Sequence, residues 1–168
     1  PATAAGYEAA IRARFATIGG LVLQQYPASA YPSPQRAYQD LLDDALFTCA
    51  ARRSAADHAS RGYPTWHYVL TETLPQPGLA PLESFHGLDV VLLFAPAERL
   101  AEYPLAARMQ RAWVEFASGV TPGSGDGQPW PLYQPASRLS RELNGTRNGD
   151  LVDYHREACV FWERFLFP

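Results

Sequence analysis

The stretch Thr65-Trp66-His67-Tyr68-Val69-Leu70-Thr71 constrains the fold more than any other part of this 168-residue chain. It is rich in aromatic and β-branched residues and is bounded by Pro64 and Pro75, which predicts a strand. Large side chains alternate onto both of its faces, the pattern of a strand covered on both sides. A strand of that kind needs layers above and below it, and the sequence around it is dominated by helical periodicity.

Residues 6–25 predict a helix, with Ala9, Ile11, Phe15, Ile18 and Val22 on one face. Residues 35–60 predict a second, carrying Ala37, Leu41, Leu42, Ala45, Leu46 and Cys49 and ending at Gly62 and Pro64. Pro104 opens a third, with Leu105, Met109, Trp113 and Phe116 on its core face and Gly119 at its stop. A fourth, over about 151–166, presents Val152, Cys159, Trp162, Phe165 and Leu166. Residues 88–94 are apolar and fit a strand or a short helix. Residues 137–143 fit a short strand, and Asn144-Gly145 and Asn148-Gly149 are turn signals. No internal repeat or linker divides the chain.

Hydrophobic residues at 47% against 18% charged suffice for a core. A net charge of −3 disfavours nucleic acid as a partner, because phosphate binding needs a basic patch. The apolar runs are too short to span a membrane. All fourteen basic residues are arginine, a codon-usage signature of a GC-rich bacterial genome. The chain starts Pro1-Ala2-Thr3 without a methionine, as expected of a processed or cut product. Two cysteines, Cys49 and Cys159, are either a bridge or two buried thiols.

Glu83-Ser84-Phe85-His86-Gly87-Leu88-Asp89 offers half of a catalytic site: a loop histidine after a strand, with a carboxylate three residues on. No Gly-x-Ser-x-Gly elbow accompanies it, so a nucleophile for it to activate must come from other polypeptide. On spacing alone His86 is either such a base or a loop histidine at a core edge. His67, on the strand, suits cross-strand packing; His58 and His155 fall on predicted helices as surface residues. His86, Asp89 and His67 lack a third ligand at helical spacing, so no metal is expected. Gly123-Ser124-Gly125-Asp126-Gly127 lacks the Lys-Ser/Thr of a phosphate loop and reads as a surface turn. Asn144-Gly145-Thr146 fits the glycosylation pattern.

Seven segments, in order, resemble the C-terminal third of the type-B carboxylesterases, the cholinesterase-like α/β-hydrolases. They are Tyr26-Pro27, Leu46-Phe47-Thr48-Cys49, Trp66-His67-Tyr68, and Phe85-His86-Gly87-Leu88-Asp89 with Phe94 beyond it. Arg108-Met109-Gln110-Arg111-Ala112-Trp113-Val114-Glu115-Phe116-Ala117, Trp130-Pro131-Leu132-Tyr133 and Cys159-Val160-Phe161-Trp162-Glu163-Arg164-Phe165-Leu166 complete the set. Asp89 stands where many members have glutamate.

The resemblance implies an α/β-hydrolase segment, mostly helices plus late strands of a central sheet, with residues 1–168 forming the C-terminal part of one catalytic domain. It implies hydrolysis of small carboxylic esters by a serine enzyme, with no cofactor and with His86 as the triad histidine. The nucleophile and the acid would lie in an N-terminal part, without which the chain is inactive. Asp89 would order the site from behind His86 or start a helix, and Phe85 would wall a substrate pocket. Cys49 and Cys159 would bridge, stapling the last helix to the 35–60 helix, in a secreted or periplasmic protein. The rival readings are a non-catalytic cholinesterase-like interaction protein and a free-standing binding domain with a fortuitous match.

Overall fold

The computed structural model describes residues 1–76, 78–123 and 128–166. Ser124 to Gly127 of the glycine-rich turn lie outside the described residues, as does the side chain of Leu166. The chain forms two compact units, Pro1–Arg53 with His155–Pro168, and Ser54–Tyr154.

In the first unit, α1 (Ala4–Phe15) begins where the Thr3 side chain accepts the Gly6 N–H at 3.1 Å. The single helix expected over 6–25 is in fact two. A 3-10 turn at Ala16–Ile18, with Ala16 at φ 32°, separates α1 from α2 (Gly19–Gln25). The break turns α2 back onto α1, so that Tyr7, Ile11 and Val22 share one core. Gly19 permits the close approach, since a Cβ there would lie 3.2 Å from Arg12 Cα.

Ser33 caps α3 (Pro34–Asp43) by accepting the Arg36 N–H at 3.1 Å, with Pro34 in the first turn. A π-helical turn, Asp44–Thr48, joins it to α4 (Cys49–Ser60), which runs on into the second unit. The last helix, named α7 below, starts only at Arg156 and ends at Leu166. A disulfide between Cys49 and Cys159 ties it to the start of α4. Trp162, fully buried, lies at the centre of this core.

The second unit is built on a three-stranded mixed sheet of order β1-β2-β3. β1 (Tyr68–Leu70) runs parallel to β2 (Leu139–Leu143), and β2 is antiparallel to β3 (Asn148–Val152). The strand expected over 65–71 is thus three residues long. Its flanks still bond to β2: Arg141 N donates to His67 O at 2.9 Å and Thr71 N to Leu143 O at 3.0 Å. Asn148-Gly149, read as a turn, instead opens β3. The reversal is completed earlier, because Asn144 Oδ1 accepts the N–H groups of Thr146 and Arg147 at 3.0 and 3.2 Å. Val152, expected on the last helix, ends β3 and is 70% exposed.

Residues 88–93 resolve as a helix, α5 (Leu88–Leu93). α6 (Pro104–Ala117) ends in a Schellman motif: Gly119, at φ 78°, donates to Phe116 O and Val120 N to Glu115 O. α5 and α6 bury Leu88, Leu92, Leu105 and Met109 with Leu143 of β2. Phe116, expected in this core, is 57% exposed and meets Trp66 edge-on at 5.7 Å. No helix among the described residues is long and apolar enough to cross a membrane.

Candidate active site

His86 stands on a turn between a short 3-10 segment (Ala80–Leu82) and α5. Two left-handed residues shape that turn: Glu83 at φ 51° and Gly87 at φ 87°. Glycine suits Gly87 because an L side chain rarely takes that backbone conformation. Phe85 O accepts the Leu88 N–H at 3.1 Å and Gly87 O the Val91 N–H at 3.2 Å, so helix bonding begins at the histidine's own turn.

Two side-chain bonds pin this turn to β1. Before the histidine, Ser84 Oγ donates to Leu70 O at 2.8 Å. After it, the Tyr68 hydroxyl donates to Asp89 Oδ2 at 2.8 Å, while Asp89 Oδ1 accepts the Val90 N–H at 2.9 Å. Burial raises the Tyr68 phenol well above its ordinary range, and the Asp89 hydrogen bond and charge raise it further. Tyr68 therefore stays protonated and donates throughout the physiological range. Its ring is gripped by Trp113 at 5.2 Å and Trp130 at 5.9 Å. Phe85 is half-buried and packs on the α5–α6 core. The imidazole of His86 is exposed.

His86, Asp89 and Phe85 thus share one short turn. Asp89, in the first turn of α5, joins that helix to β1 through the Tyr68 hydroxyl. Phe85 anchors the turn from below. Cys49 and Cys159, both about 1% exposed, belong to the first unit. Sequence reasoning missed Ser84 and Tyr68 as anchors; the only signals were a serine beside the histidine and a tyrosine in the strand.

Other candidates fall elsewhere. His67 Nδ1 lies 2.7 Å from Ser140 Oγ of β2, and its ring meets Tyr133 at 5.6 Å, a cross-strand contact. His58 is exposed on α4. His155, expected as a surface residue on a helix, precedes α7 at φ 53° and pairs with buried Asp44 at 2.5 Å. Asn144 is a poor glycan acceptor: it is 7% exposed, and its amide nitrogen donates to Thr71 O at 2.9 Å and Thr71 Oγ1 at 3.1 Å. Among the described residues no group of three acidic, histidine or cysteine side chains could hold a metal.

Known proteins share this arrangement of sequence. The model of the carboxylesterase family matches residues 7–162. Acetylcholinesterase 1 of Caenorhabditis elegans is 25% identical over 169 residues, covering 86% of this chain and 27% of that protein. The Caenorhabditis briggsae acetylcholinesterase 1 is 23% identical, with the same coverage of 86% and 27%. The acetylcholinesterase of Bungarus fasciatus is 23% identical over 79% of this chain and 23% of its own length. The chain therefore spans about a quarter of the length of these relatives. A match that runs from α1 to the tryptophan of α7 takes in both units and the His86 turn, and on that ground the chain belongs to the carboxylesterase family.

Proposed function

We propose that this chain is the C-terminal segment of an α/β-hydrolase catalytic domain and supplies its catalytic histidine, His86, to carboxylic-ester hydrolysis. The observation that carries this reading is the exposed His86 held on a turn fixed to β1 from both sides. Its neutral imidazole can take the proton of a serine hydroxyl as that oxygen attacks the ester carbonyl. The imidazolium then returns the proton to the leaving alkoxide, and the acyl-enzyme is hydrolysed by water activated in the same way. The serine, the triad acid and the oxyanion donors come from an N-terminal part of the same enzyme. The coverage of the relatives, about a quarter of their length, supports that division.

The open edge of β1 supports it too. β1 is the outer strand of the β1-β2-β3 order, and His67 and Thr71 bond to β2, so Tyr68 and Leu70 turn their backbone groups the other way. Ser84 Oγ already occupies Leu70 O, and a strand from the N-terminal part pairs with the rest of that edge. The disulfide fits a secreted or periplasmic enzyme. The substrate is a small ester.

The test is labelling of the intact protein with a fluorophosphonate probe. Labelling of a serine, lost by more than about a thousandfold in rate in His86→Ala, is expected from removing the base of a triad. An unlabelled but folded protein would sink the esterase reading and leave a cholinesterase-like interaction protein.

A further inference from the structure

The segment Trp130-Pro131-Leu132-Tyr133 has no part in the chemistry assigned so far, yet its backbone is tied to the sheet that carries the His86 turn. Tyr133 N donates to Thr65 O at 2.8 Å, just ahead of β1. Arg141 Nη2 of β2 donates to Pro129 O at 2.9 Å, and Trp130 N donates to Pro122 O at 3.0 Å. A backbone fixed before and after Trp130 sets where its half-buried indole points. Gly123, buried and at φ 77°, makes room for that indole. A Cβ there would lie 2.6 Å from Trp130 Cδ1 and 2.7 Å from its Nε1.

The indole closes a triangle of rings. Trp130 meets Trp113 of α6 edge-on at 5.5 Å, Trp113 meets Tyr68 edge-on at 5.2 Å, and Tyr68 meets Trp130 at 5.9 Å. Trp113 comes from one side, on a helix; Trp130 supplies the second side. A cavity of about 300 Å³ adjoins all three rings, so close packing alone does not hold Tyr68, and the ring contacts must.

The aim of the Tyr68 ring matters because of what lies at its far end. The hydroxyl donates to Asp89 Oδ2 at 2.8 Å, and Asp89 stands three residues beyond His86. A small swing of the ring about χ1 carries that oxygen out of hydrogen-bond range. One of the two bonds that pin the turn to β1 would then be lost.

We propose that Trp130 is a positioning residue for His86: it holds the Tyr68 ring so that the phenol meets Asp89 and the turn keeps its place on β1. The proposal rests on the reading of His86 as the catalytic histidine. Trp130 touches no reacting atom and acts only through Tyr68.

Two measurements on the intact protein test this: the rate of serine labelling by the fluorophosphonate probe, and hydrogen exchange at the Leu88 and Val91 amides. Those amides bond to Phe85 O and Gly87 O across the histidine's turn. Trp130→Ala should slow labelling about tenfold and speed exchange at both amides by about as much. Trp130→Phe, which keeps a ring against Tyr68, should stay within about threefold of the wild type in both. Gly123→Ala displaces the indole without removing it and should behave as Trp130→Ala does. In a Tyr68→Phe background, Trp130→Ala should slow labelling by less than about twofold more, since the hydroxyl it positions is already gone. A full additive loss in that double variant would overturn the proposal. So would a Trp130→Phe protein as slow as Trp130→Ala. A wild type that does not label sinks the esterase reading; exchange at Leu88 and Val91 unmoved by Trp130→Ala sinks this one, whatever the labelling.

Discussion

The two units use their buried polar groups in opposite ways. In the first, the groups close on one another. Trp162 Nε1 donates to the Tyr26 hydroxyl at 2.8 Å, Tyr26 donates to Asp44 Oδ2 at 3.0 Å, and His155 Nδ1 meets Asp44 Oδ1 at 2.5 Å. Tyr7 donates to the Tyr26 carbonyl at 2.7 Å, and burial pushes its phenol up to about 12, with the nearby Tyr31 adding to the rise. With the disulfide beside them, these residues form a closed clamp. In the second unit the bonds from Ser84 and Tyr68 hold only the flanks of a turn, and the histidine between them faces out. A histidine paired to a buried carboxylate ties a core together; His86 instead keeps its ring exposed on a turn whose neighbours are fixed.

Substitutions should separate the two regions by readout. Replacing both cysteines by alanine in the first unit removes a cross-link of 110 residues' separation and should cost about 4–5 kcal/mol in the chain-entropy account. Urea unfolding reads it; an unchanged midpoint would mean that the clamp is redundant. Asp44→Ala should follow at about 3–5 kcal/mol, because it strands the Tyr26 hydroxyl and the His155 ring inside the unit. Tyr68→Phe should do the reverse of both. Its stability cost should be about 1 kcal/mol, the worth of one hydrogen bond, while the rate of serine labelling falls about ten- to a hundredfold as the His86 turn loosens. A loss of stability with labelling unchanged would make Asp89 a helix-start residue and nothing more.

What the sequence made legible follows the range of the interactions. α6 could be read because its signals are local: Pro104 in the first turn and Gly119 in the left-handed position. The break at Ala16 could not, since alanine carries no sign of φ 32°, and the return of α2 onto α1 is decided by the shared core. The strand at 65–71 was right in kind and too long, because a ladder extends only where a neighbour runs beside it. Asn148-Gly149 has turn composition, yet the Asn144 side chain had already organised the reversal. The His86 turn was legible through its flanking residues. Its anchors were not, because Tyr68 and Asp89 are 21 residues apart and meet only through the fold. His155 misled for the same reason, since its partner Asp44 is 111 residues away.

The smallest expected effect is the pH dependence of that pair. Burial by itself would lower the His155 pKa, but the hydrogen bond and charge of Asp44, helped by Asp40, outweigh burial and the opposing Arg52, and the net shift is upward. A folded-state pKa above the unfolded value of about 6.5 means that the folded form holds the proton more tightly. The pair's contribution is therefore complete below about pH 6.5 and declines as pH rises through the elevated folded value. About a third of the His155 side chain is exposed, so solvent screening keeps the change small beside those above. Urea midpoints measured from pH 5.5 to pH 9 should fall more steeply in the wild type than in His155→Gln, which cannot titrate. Parallel pH profiles in the two proteins would show that the clamp holds through the Tyr26–Asp44 bond alone, and the first unit would then be as insensitive to protons as its disulfide.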